Sequence, residues 1–222
     1  MKIAAIDLET IPDASMIHLL PDLEPNKTLK DPAKIAEDIA KKKEKQLDDM
    51  GMDPLMNIIV CAGIYGMDTD KGEIIETGIL LDPDESIKAR IDMLEAFWGA
   101  VENIDHFVTF NGRSFDIRVL GIQNMKLAVR PSIVIDSGKY NRGNHTDMRP
   151  VLAGEGQFAK GNLEFFASIL LNDHKTKGID GKLVYSYWQM GVYDKIKEYC
   201  LDDCRLTYNL FDLALKAGLV NL

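Results

Sequence analysis

The chain has 222 residues and a formal net charge of −9, with 46% hydrophobic and 27% charged residues. This length and composition fit one α/β domain that can bury a sizeable core. No apolar run approaches the roughly 18–20 residues that span a bilayer, and no signal-peptide pattern precedes the first predicted strand. We therefore expect a cytoplasmic protein without membrane association, and the acidic balance disfavours tight non-specific binding of nucleic acid over the whole surface.

A short apolar run at the start of the sequence predicts a strand that ends with two acidic residues, Asp7 and Glu9. Side chains at positions i and i+2 of a strand point to one face, so the two carboxylates share a site, while Ile6 and Leu8 point the other way. Two close carboxylates repel each other unless a cation lies between them, and oxygen ligands favour Mg²⁺ or Mn²⁺. The alternative is a solvated pair at the end of a strand.

Prolines mark the boundaries of the next elements. Pro12 ends the strand, and Asp31 and Pro32 begin a charged helix that the pattern predicts over 33–49. The helix carries a basic cluster that either forms a solvated face or contacts a phosphate backbone. This cluster consists of Lys41, Lys42, Lys43 and Lys45.

Strands and helices then alternate along the chain. Apolar composition predicts strands over Asn57–Tyr65 and Glu73–Leu80, an amphipathic helix over Glu85–Val101, and a short strand over His106–Phe110. This order predicts an α/β fold with a mixed sheet. The predicted apolar stripe of the helix consists of Ile87, Ile91, Leu94 and Trp98.

A turn signal, Asn111-Gly112, follows the last of these strands, and Ser114 can cap the helix after it. Asp116 then falls in the first helical turn, near the carboxyl end of a strand, where open α/β sheets place ligands. The helix macrodipole alone also favours an aspartate at this position. Both a functional and a structural role for Asp116 therefore remain open.

The region over 130–192 has weaker patterns. It holds a possible short strand at Val134, two candidates for a substrate or structural role at His145 and Asp147, and a predicted helix over 162–171. Residues 172–192 are predicted to form a loop, with lysines that could contact phosphates at Lys175, Lys177 and Lys182. We expect a single domain over 1–222, with the helical excursion 22–56 within it.

The last predicted helix, Tyr193–Phe211, has an aspartate in the middle of its apolar face. An unpaired carboxylate there would be costly, so Asp203 needs a partner. A metal ion shared with the first acidic pair would provide one, and a salt bridge is the alternative. Tyr199 lies one turn earlier on the same face, whereas Asp202 falls toward solvent.

The three cysteines, Cys61, Cys200 and Cys204, are too few and too irregularly spaced for a disulfide framework or a metal site. We expect them to behave as small buried hydrophobic residues.

Three of these motifs, in this order, resemble the DEDD superfamily of 3′–5′ exonucleases, which has a ribonuclease H-like fold. Further similarity between the motifs points to predicted exonucleases related to the proofreading domain of family-B DNA polymerases. The matching segments are Asp7-Leu8-Glu9-Thr10, Lys30-Asp-Pro-x-Lys34, Asn111-Gly-Arg-Ser-Phe-Asp116, Asp180-Gly-Lys-x-Val184 and, in the tyrosine (DEDDy) form of the third motif, Tyr199-x-x-x-Asp203.

The resemblance implies a ribonuclease H-like α/β fold, with a mixed central sheet flanked by helices, and hydrolysis that uses two divalent cations, Mg²⁺ or Mn²⁺. It implies that Asp7 bridges both ions, Glu9 and Asp203 complete the site of the first, and Asp116 holds the second. Tyr199 would orient the attacking water or also help to accept its proton; orientation is favoured, since a free tyrosine has a pKa near 10. The implied substrate contacts are Thr10, Asn111, Phe115 and Lys182, with stacking by Phe115 or Tyr140; Phe115 could equally belong to the core.

The implied substrate is a nucleic acid, with a DNA 3′ end favoured over RNA, and the implied product is a nucleoside 5′-monophosphate. Two alternatives stay open: an exoribonuclease acting on short RNA, and a non-catalytic nucleic-acid-binding module of the same fold. The sequence does not separate DNA from RNA, because that choice depends on how the site treats a 2′-hydroxyl group.

Overall fold

The computed structural model of the protein describes residues 1–138, 143–154, 160–174 and 181–222, without the side chain of Lys182. Tyr140, Lys175, Lys177 and Asp180, which the sequence associates with substrate contacts or with a motif, lie outside the described residues.

The described strands form one five-stranded sheet in the order β3-β2-β1-β4-β5. Strand β1 lies in the middle, antiparallel to β2 and parallel to β4, so the sheet is mixed as predicted. The remaining pairs are β2 with β3, antiparallel, and β4 with β5, parallel. The strands are β1 (Lys2–Pro12), β2 (Asn57–Asp68), β3 (Glu73–Leu80), β4 (His106–Thr109) and β5 (His145–Asp147).

Helices flank the sheet, which confirms the predicted α/β class. Within the described residues none of them is long and apolar enough to cross a membrane. They are α1 (Pro32–Met52), α2 (Ile87–Val101), α3 (Asp116–Leu127), α4 (Met148–Ala153), α5 (Leu163–Leu170), α6 (Val184–Gln189) and α7 (Tyr193–Lys216), with short 3₁₀ helices at Ala14–Leu19 and Gly181–Leu183.

The alternation of side chains along β1 divides the core between the two faces of the sheet. Ile6 and Leu8 join a hydrophobic cluster that includes Phe97 of α2. Ile3 and Ala5 point to the opposite face and join a second cluster that includes Phe211 of α7. Because Asp7 and Glu9 continue the second series, β1 directs both carboxylates toward the face that α7 covers.

Capping explains where two of the predicted helices begin. The Asp31 carboxylate accepts a hydrogen bond from the Ala33 amide at 2.9 Å, and Pro32 occupies the first turn of α1, as predicted. The Ser86 hydroxyl accepts from the Ala89 amide at 3.1 Å and starts α2 later than predicted.

The predicted apolar stripe of α2 is partly wrong. Ile87 is 59% exposed because it stands in the first turn, beyond the edge of the sheet-facing surface. The buried face of α2 is instead rotated about the helix axis relative to the predicted stripe. It consists of Ala89, Met93, Leu94, Phe97, Trp98 and Val101.

Two predictions for 130–192 are wrong. Val134 lies in no strand and is 80% exposed; the fifth strand is β5, which pairs with β4 through Thr146 and its neighbours. The predicted loop over 172–192 contains α6, whose Val184 and Trp188 are buried in the core. Burial of these two side chains stabilises a helix that is too short to show a clear period in the sequence.

Candidate active site

The first acidic pair, Asp7 and Glu9, lies in β1 next to β2. Asp7 pairs with Gly63 and Glu9 with Cys61 in the antiparallel register, and a β-bulge follows directly after Glu9. The bulge shifts the later residues of β1 relative to β2, a device that often re-aims side chains next to functional sites. Carboxylate oxygens of Asp7 and Glu9 and the sulfur of Cys200 all lie within 4.8 Å of one another.

Helix α7 brings Tyr199 and Asp203 to the same place, one turn apart on its buried face. The Tyr199 hydroxyl donates a hydrogen bond to Asp203. Burial raises the pKa of Tyr199 strongly, and the charges of Asp203, Glu9 and Asp7 raise it further. The phenol is therefore a neutral hydrogen-bond donor near neutral pH, surrounded by carboxylates from two elements.

The two neighbouring aspartates of α7 have different partners. Asp203 is 6% exposed and reaches the acidic cluster, whereas Asp202 accepts from Arg205 at 2.7 Å. The side chain of Asp202 is only 11% exposed, so its predicted position toward solvent is wrong: the ion pair with Arg205 covers it.

Helix α7 lies very close to the sheet because β2 has a glycine at the contact. A Cβ atom on Gly63 would lie 2.8 Å from Cys204 Sγ, 2.9 Å from Cys200 Sγ and 3.1 Å from the Cys200 carbonyl oxygen. A glycine inside a strand often marks such a close approach, so Gly63 is a site-forming residue that sequence reasoning missed although its signal was present.

The first turn of α3 supplies the fourth carboxylate. Asp116 is buried, and its Oδ1 accepts a hydrogen bond at 3.1 Å from the amide of Leu8, which lies between Asp7 and Glu9. Burial raises the pKa of Asp116, and the carboxylates of Asp147 and Asp203 add to the rise, while the bond from Leu8 opposes it. Residues of all three motifs therefore meet at one end of β1.

The predicted cap of α3 is wrong. Phe115, not Ser114, precedes the first residue of the helix, and it makes no side-chain capping bond. The turn is closed by its backbone instead, because the Asn111 carbonyl accepts from the Ser114 amide at 3.1 Å and from the Phe115 amide at 3.2 Å.

A buried carboxylate from another element binds backbone amides of the 111–115 loop. Asp147, at the end of β5, accepts hydrogen bonds from the amides of Asn111 at 2.7 Å, Arg113 at 3.1 Å and Arg149 at 3.1 Å. The sequence marked Asp147 as a candidate for a substrate or structural role, and these contacts show a structural one.

The predicted substrate residues have protein partners of their own. Thr10 donates to the Gly51 carbonyl at 2.7 Å and so ties β1 to α1. The Asn111 amide oxygen accepts from Arg149 at 3.3 Å, and Phe115 packs partly buried against the core. The side chain of Lys182 lies outside the described residues, and substrate contact by all four stays a prediction.

The basic cluster of α1 is partly neutralised. Lys41 pairs with Glu37 at 2.6 Å, and Lys42 pairs with Asp38 at 2.8 Å, both across one helical turn. Lys43 and Lys45 are exposed. Exposed ion pairs of this kind are weak, so they do not prevent these lysines from contacting a phosphate backbone. Both interpretations of the cluster, a solvated face and a phosphate contact, stay open.

The donor set fits hard divalent cations. Asp7, Glu9, Asp116 and Asp203 offer only carboxylate oxygens, which Mg²⁺ and Mn²⁺ prefer, and their close spacing is costly without a counter-charge. Cys200 fits such an ion poorly: its thiol donates to the Asp7 carbonyl at 3.4 Å, and burial raises its pKa well above the usual range. The three cysteines are free and buried, as predicted.

Comparisons with known proteins identify the family of the chain. Residues 54–218 match the family described as predicted 3′-5′ exonucleases related to the exonuclease domain of PolB. That range contains Asp116, Tyr199 and Asp203 and leaves Asp7 and Glu9 outside it. The chain is also 29% identical over 139 residues to DNA polymerase 1 of Sulfurisphaera ohwakuensis, a match that covers 57% of this chain and 15% of the polymerase.

The fold is similar to that of the family B DNA polymerase from the hyperthermophilic archaeon Pyrobaculum calidifontis. The TM-score is 0.60 at 18% identity, and the match covers 99% of this chain and 25% of that one. This likeness supports the ribonuclease H-like fold that the sequence implies. The chain spans a quarter or less of the length of both polymerases.

Proposed function

Because the chain belongs to the family of predicted 3′-5′ exonucleases related to the exonuclease domain of PolB, we propose that it is a metal-dependent 3′–5′ exonuclease. Its substrate is the 3′ end of single-stranded DNA, and its product is a nucleoside 5′-monophosphate. One observation carries the proposal: the Asp116 carboxylate accepts from the Leu8 amide, between Asp7 and Glu9, while Asp203 and Tyr199 reach the same carboxylates from α7.

The four carboxylates would hold two divalent cations, Mg²⁺ or Mn²⁺. Such ions, when bound, supply a water of lowered pKa and neutralise the charge that develops on the leaving oxygen. The chain supplies ligands that are fixed before substrate arrives. Glu9, Asp116 and Asp203 are all less than 10% exposed, and packing of β1, α3 and α7 restricts their movement.

Tyr199 acts as an orienting donor in this proposal. Burial and the neighbouring carboxylates raise the pKa of Tyr199 in the metal-free protein, which favours an orienting donor over a general base. It is placed to hold the attacking water, or an oxygen of the terminal phosphodiester, beside the carboxylates that it already contacts.

The acidic surface limits how DNA is held. With a net charge of −9, the chain attracts a phosphate backbone only locally, where bound cations or lysines reverse the field. We therefore expect weak, strongly salt-dependent binding of a single-stranded end, with stacking and little reading of base sequence.

The test is a gel time course with 5′-labelled single-stranded DNA, in Mg²⁺ or Mn²⁺ and in chelator, for the wild type and for Asp7→Ala and Asp203→Ala. We expect a metal-dependent ladder that shortens one nucleotide at a time and disappears in both variants. Asp202→Ala is the matched control, since it removes the neighbouring carboxylate, which pairs with Arg205, and should stay active.

Near-normal activity in Asp7→Ala or Asp203→Ala, with the fold intact by circular dichroism, would contradict the site assignment. A matched RNA oligonucleotide run beside the DNA decides the substrate: preferential shortening of RNA would replace the DNA exonuclease by an exoribonuclease. If both oligonucleotides stay intact in every lane but are retained in a binding assay, the non-catalytic module replaces both.

A further inference from the structure

We propose that Asp147 is a positioning residue, whose carboxylate fixes the 111–115 loop and through it holds Asp116 in the candidate site. The inference rests on the proposed function, because it assigns to Asp116 a role in holding a cation. It goes beyond that function by giving a task to a residue that belongs to none of the three motifs.

Two of the three amide contacts of Asp147 lie in the 111–115 loop, and the third caps the N-terminus of α4. One carboxylate oxygen accepts from the amides of Asn111 and Arg149, at 2.7 and 3.1 Å, and the other accepts from the amide of Arg113 at 3.1 Å. The residue is 3% exposed. A buried anion that receives three amide donors is strongly held, because charged acceptors form the stronger hydrogen bonds.

The loop needs this external anchor, because part of its conformation is unfavourable. Asn111 has a φ of +72°, in the left-handed region, which asparagine adopts more readily than other non-glycine residues but still at a cost relative to glycine. Gly112 packs so tightly that a Cβ atom there would lie 2.4 Å from the Thr109 hydroxyl. The helix that follows begins without a side-chain cap.

The loop leads directly into Asp116. The carbonyl of Gly112 accepts from the Ile117 amide at 2.9 Å, so the first turn of α3 is built on the loop itself. The Asp116 carboxylate then accepts a hydrogen bond from the Leu8 amide of the neighbouring strand β1. A displacement of the loop therefore moves the carboxylate of Asp116 relative to Asp7 and Glu9, whose own positions depend on β1 and not on the loop.

The discriminating variant is Asp147→Asn, which keeps the size of the side chain. Its amide nitrogen would have to face the donor amide of Arg113 or those of Asn111 and Arg149, so at least one bond is replaced by two opposed donors. We expect Mn²⁺ affinity, measured on the metal-titrated protein by electron paramagnetic resonance, to fall about 10- to 100-fold, as is usual for residues that orient ligands. The turnover number should fall in parallel, while KM for DNA changes little and added Mn²⁺ restores part of the rate.

The matched control is Asp13→Asn. Asp13 is equally buried, accepts from the Ser15 amide at 3.1 Å and from Arg90 at 2.8 Å, and contacts no residue of the candidate site in these bonds. We expect this variant to lose stability while its Mn²⁺ affinity stays that of the wild type. If Asp147→Asn does not fold, Asp147→Ser is used, since a hydroxyl still accepts one amide bond without a buried charge.

Mn²⁺ affinity of a folded Asp147 variant equal to that of the wild type would overturn the proposal, because Asp147 would then serve stability alone. A wild-type protein that binds Mn²⁺ but cleaves neither DNA nor RNA would instead overturn the proposed function. The role of Asp147 would still be decided in that case by the Mn²⁺ titration, which needs no substrate.

Discussion

At the scale of single residues, the hydroxyl of Tyr199 is surrounded by the carboxylates of Asp203, Glu9 and Asp7. If it orients the attacking water, Tyr199→Phe should lower the turnover number on the order of 10- to 100-fold, because misplaced reacting atoms cost about that much. Mn²⁺ affinity should change little, since no metal ligand is removed. Steady-state kinetics beside a Mn²⁺ titration check this.

Tyr208→Phe is the control for that prediction. Tyr208 is a buried tyrosine of the same helix; its ring packs edge-on against Tyr65, and the carboxylate that acts on its hydroxyl is Asp212, which is not part of the candidate site. Loss of rate in Tyr208→Phe equal to that in Tyr199→Phe would attribute the effect to packing of α7 and contradict the orienting role.

Asp116 makes stability depend on pH. Burial, with the neighbouring carboxylates of Asp147 and Asp203, raises its pKa in the folded protein. The folded state therefore binds a proton that the unfolded state has released, and the metal-free protein loses stability as the pH rises from about 4 through the raised pKa. Asp116→Asn removes this loss, because the amide carries no charge and its oxygen can still accept from Leu8.

We expect the Tm of metal-free Asp116→Asn to exceed that of the wild type at pH 8, by roughly 2–4 °C for each kcal/mol gained. The difference should shrink toward pH 4, where the folded state keeps its proton and the unfolded carboxyl begins to bind one. Thermal melts in chelator over this range measure it. An equal or lower Tm for the variant at pH 8 would show that the Asp116 charge is compensated in the folded protein.

At the scale of elements, the distance between α7 and the sheet is set by Gly63. We expect Gly63→Ala to push the helix outward, because the new methyl group would overlap two cysteine sulfurs and approach a backbone carbonyl. Overpacking of this kind costs about 1–3 kcal/mol. It would also separate Asp203 from Asp7, so activity should fall by more than the loss of folded protein explains. Chemical denaturation and kinetics on the same samples separate the two effects.

Gly121→Ala is the matched substitution, because a Cβ atom at Gly121 on α3 meets nothing within 4 Å. Alanine in an exposed helix should stabilise the protein by about 0.5–1 kcal/mol. Activity in Gly63→Ala that follows the folded fraction, as in Gly121→Ala, would mean that α7 keeps its position after the methyl group is added.

Elements with a clear period were predictable from the sequence, and elements that depend on a neighbour were not. The face of α7 that carries Tyr199 and Asp203 repeats at helical spacing and is buried as predicted. Strand β5 has three residues, and its conformation depends on hydrogen bonds to β4 that no local pattern records. The cap expected from Ser114 fails for a similar reason, because the anchor of that turn is Asp147, more than thirty positions away.

The sequence predicts which carboxylates belong to the candidate site, but not how they are arranged in space. Residue types and spacing, together with the resemblance to the exonuclease family, name Asp7, Glu9, Asp116 and Asp203. The bond from Leu8 to Asp116 and the approach of α7 over Gly63 arise only when distant segments pack together. Non-local packing of this kind leaves a weak signal in a single sequence. Gly63 within β2 was a local sign of it.

At the scale of the whole molecule, the gathering of four carboxylates in a chain of net charge −9 opposes folding unless cations bind. Cations that bind only the folded state stabilise it by mass action, by about 2.7 kcal/mol at a hundredfold excess over Kd. We expect Mn²⁺ or Mg²⁺ to raise the Tm by roughly 5–10 °C at that excess. The increase should be much smaller in Asp7→Ala and unchanged in Asp202→Ala.

Thermal melts with MnCl₂, with MgCl₂ and with KCl of equal ionic strength test this expectation. A rise that KCl reproduces would come from screening of the acidic surface and not from a bound ion. The same result in Asp7→Ala and the wild type would point to cations held outside the candidate site.

The three thiols between α7 and β2 allow local opening of the protein to be measured. Cys61, Cys200 and Cys204 are free, buried and packed at the contact between the helix and β2. An alkylating reagent can reach them only when that contact opens, so the rate of labelling reports how often the helix leaves the sheet. The protein thus carries its own probe of local opening, at the position where two halves of the acidic cluster, far apart along the chain, are held together.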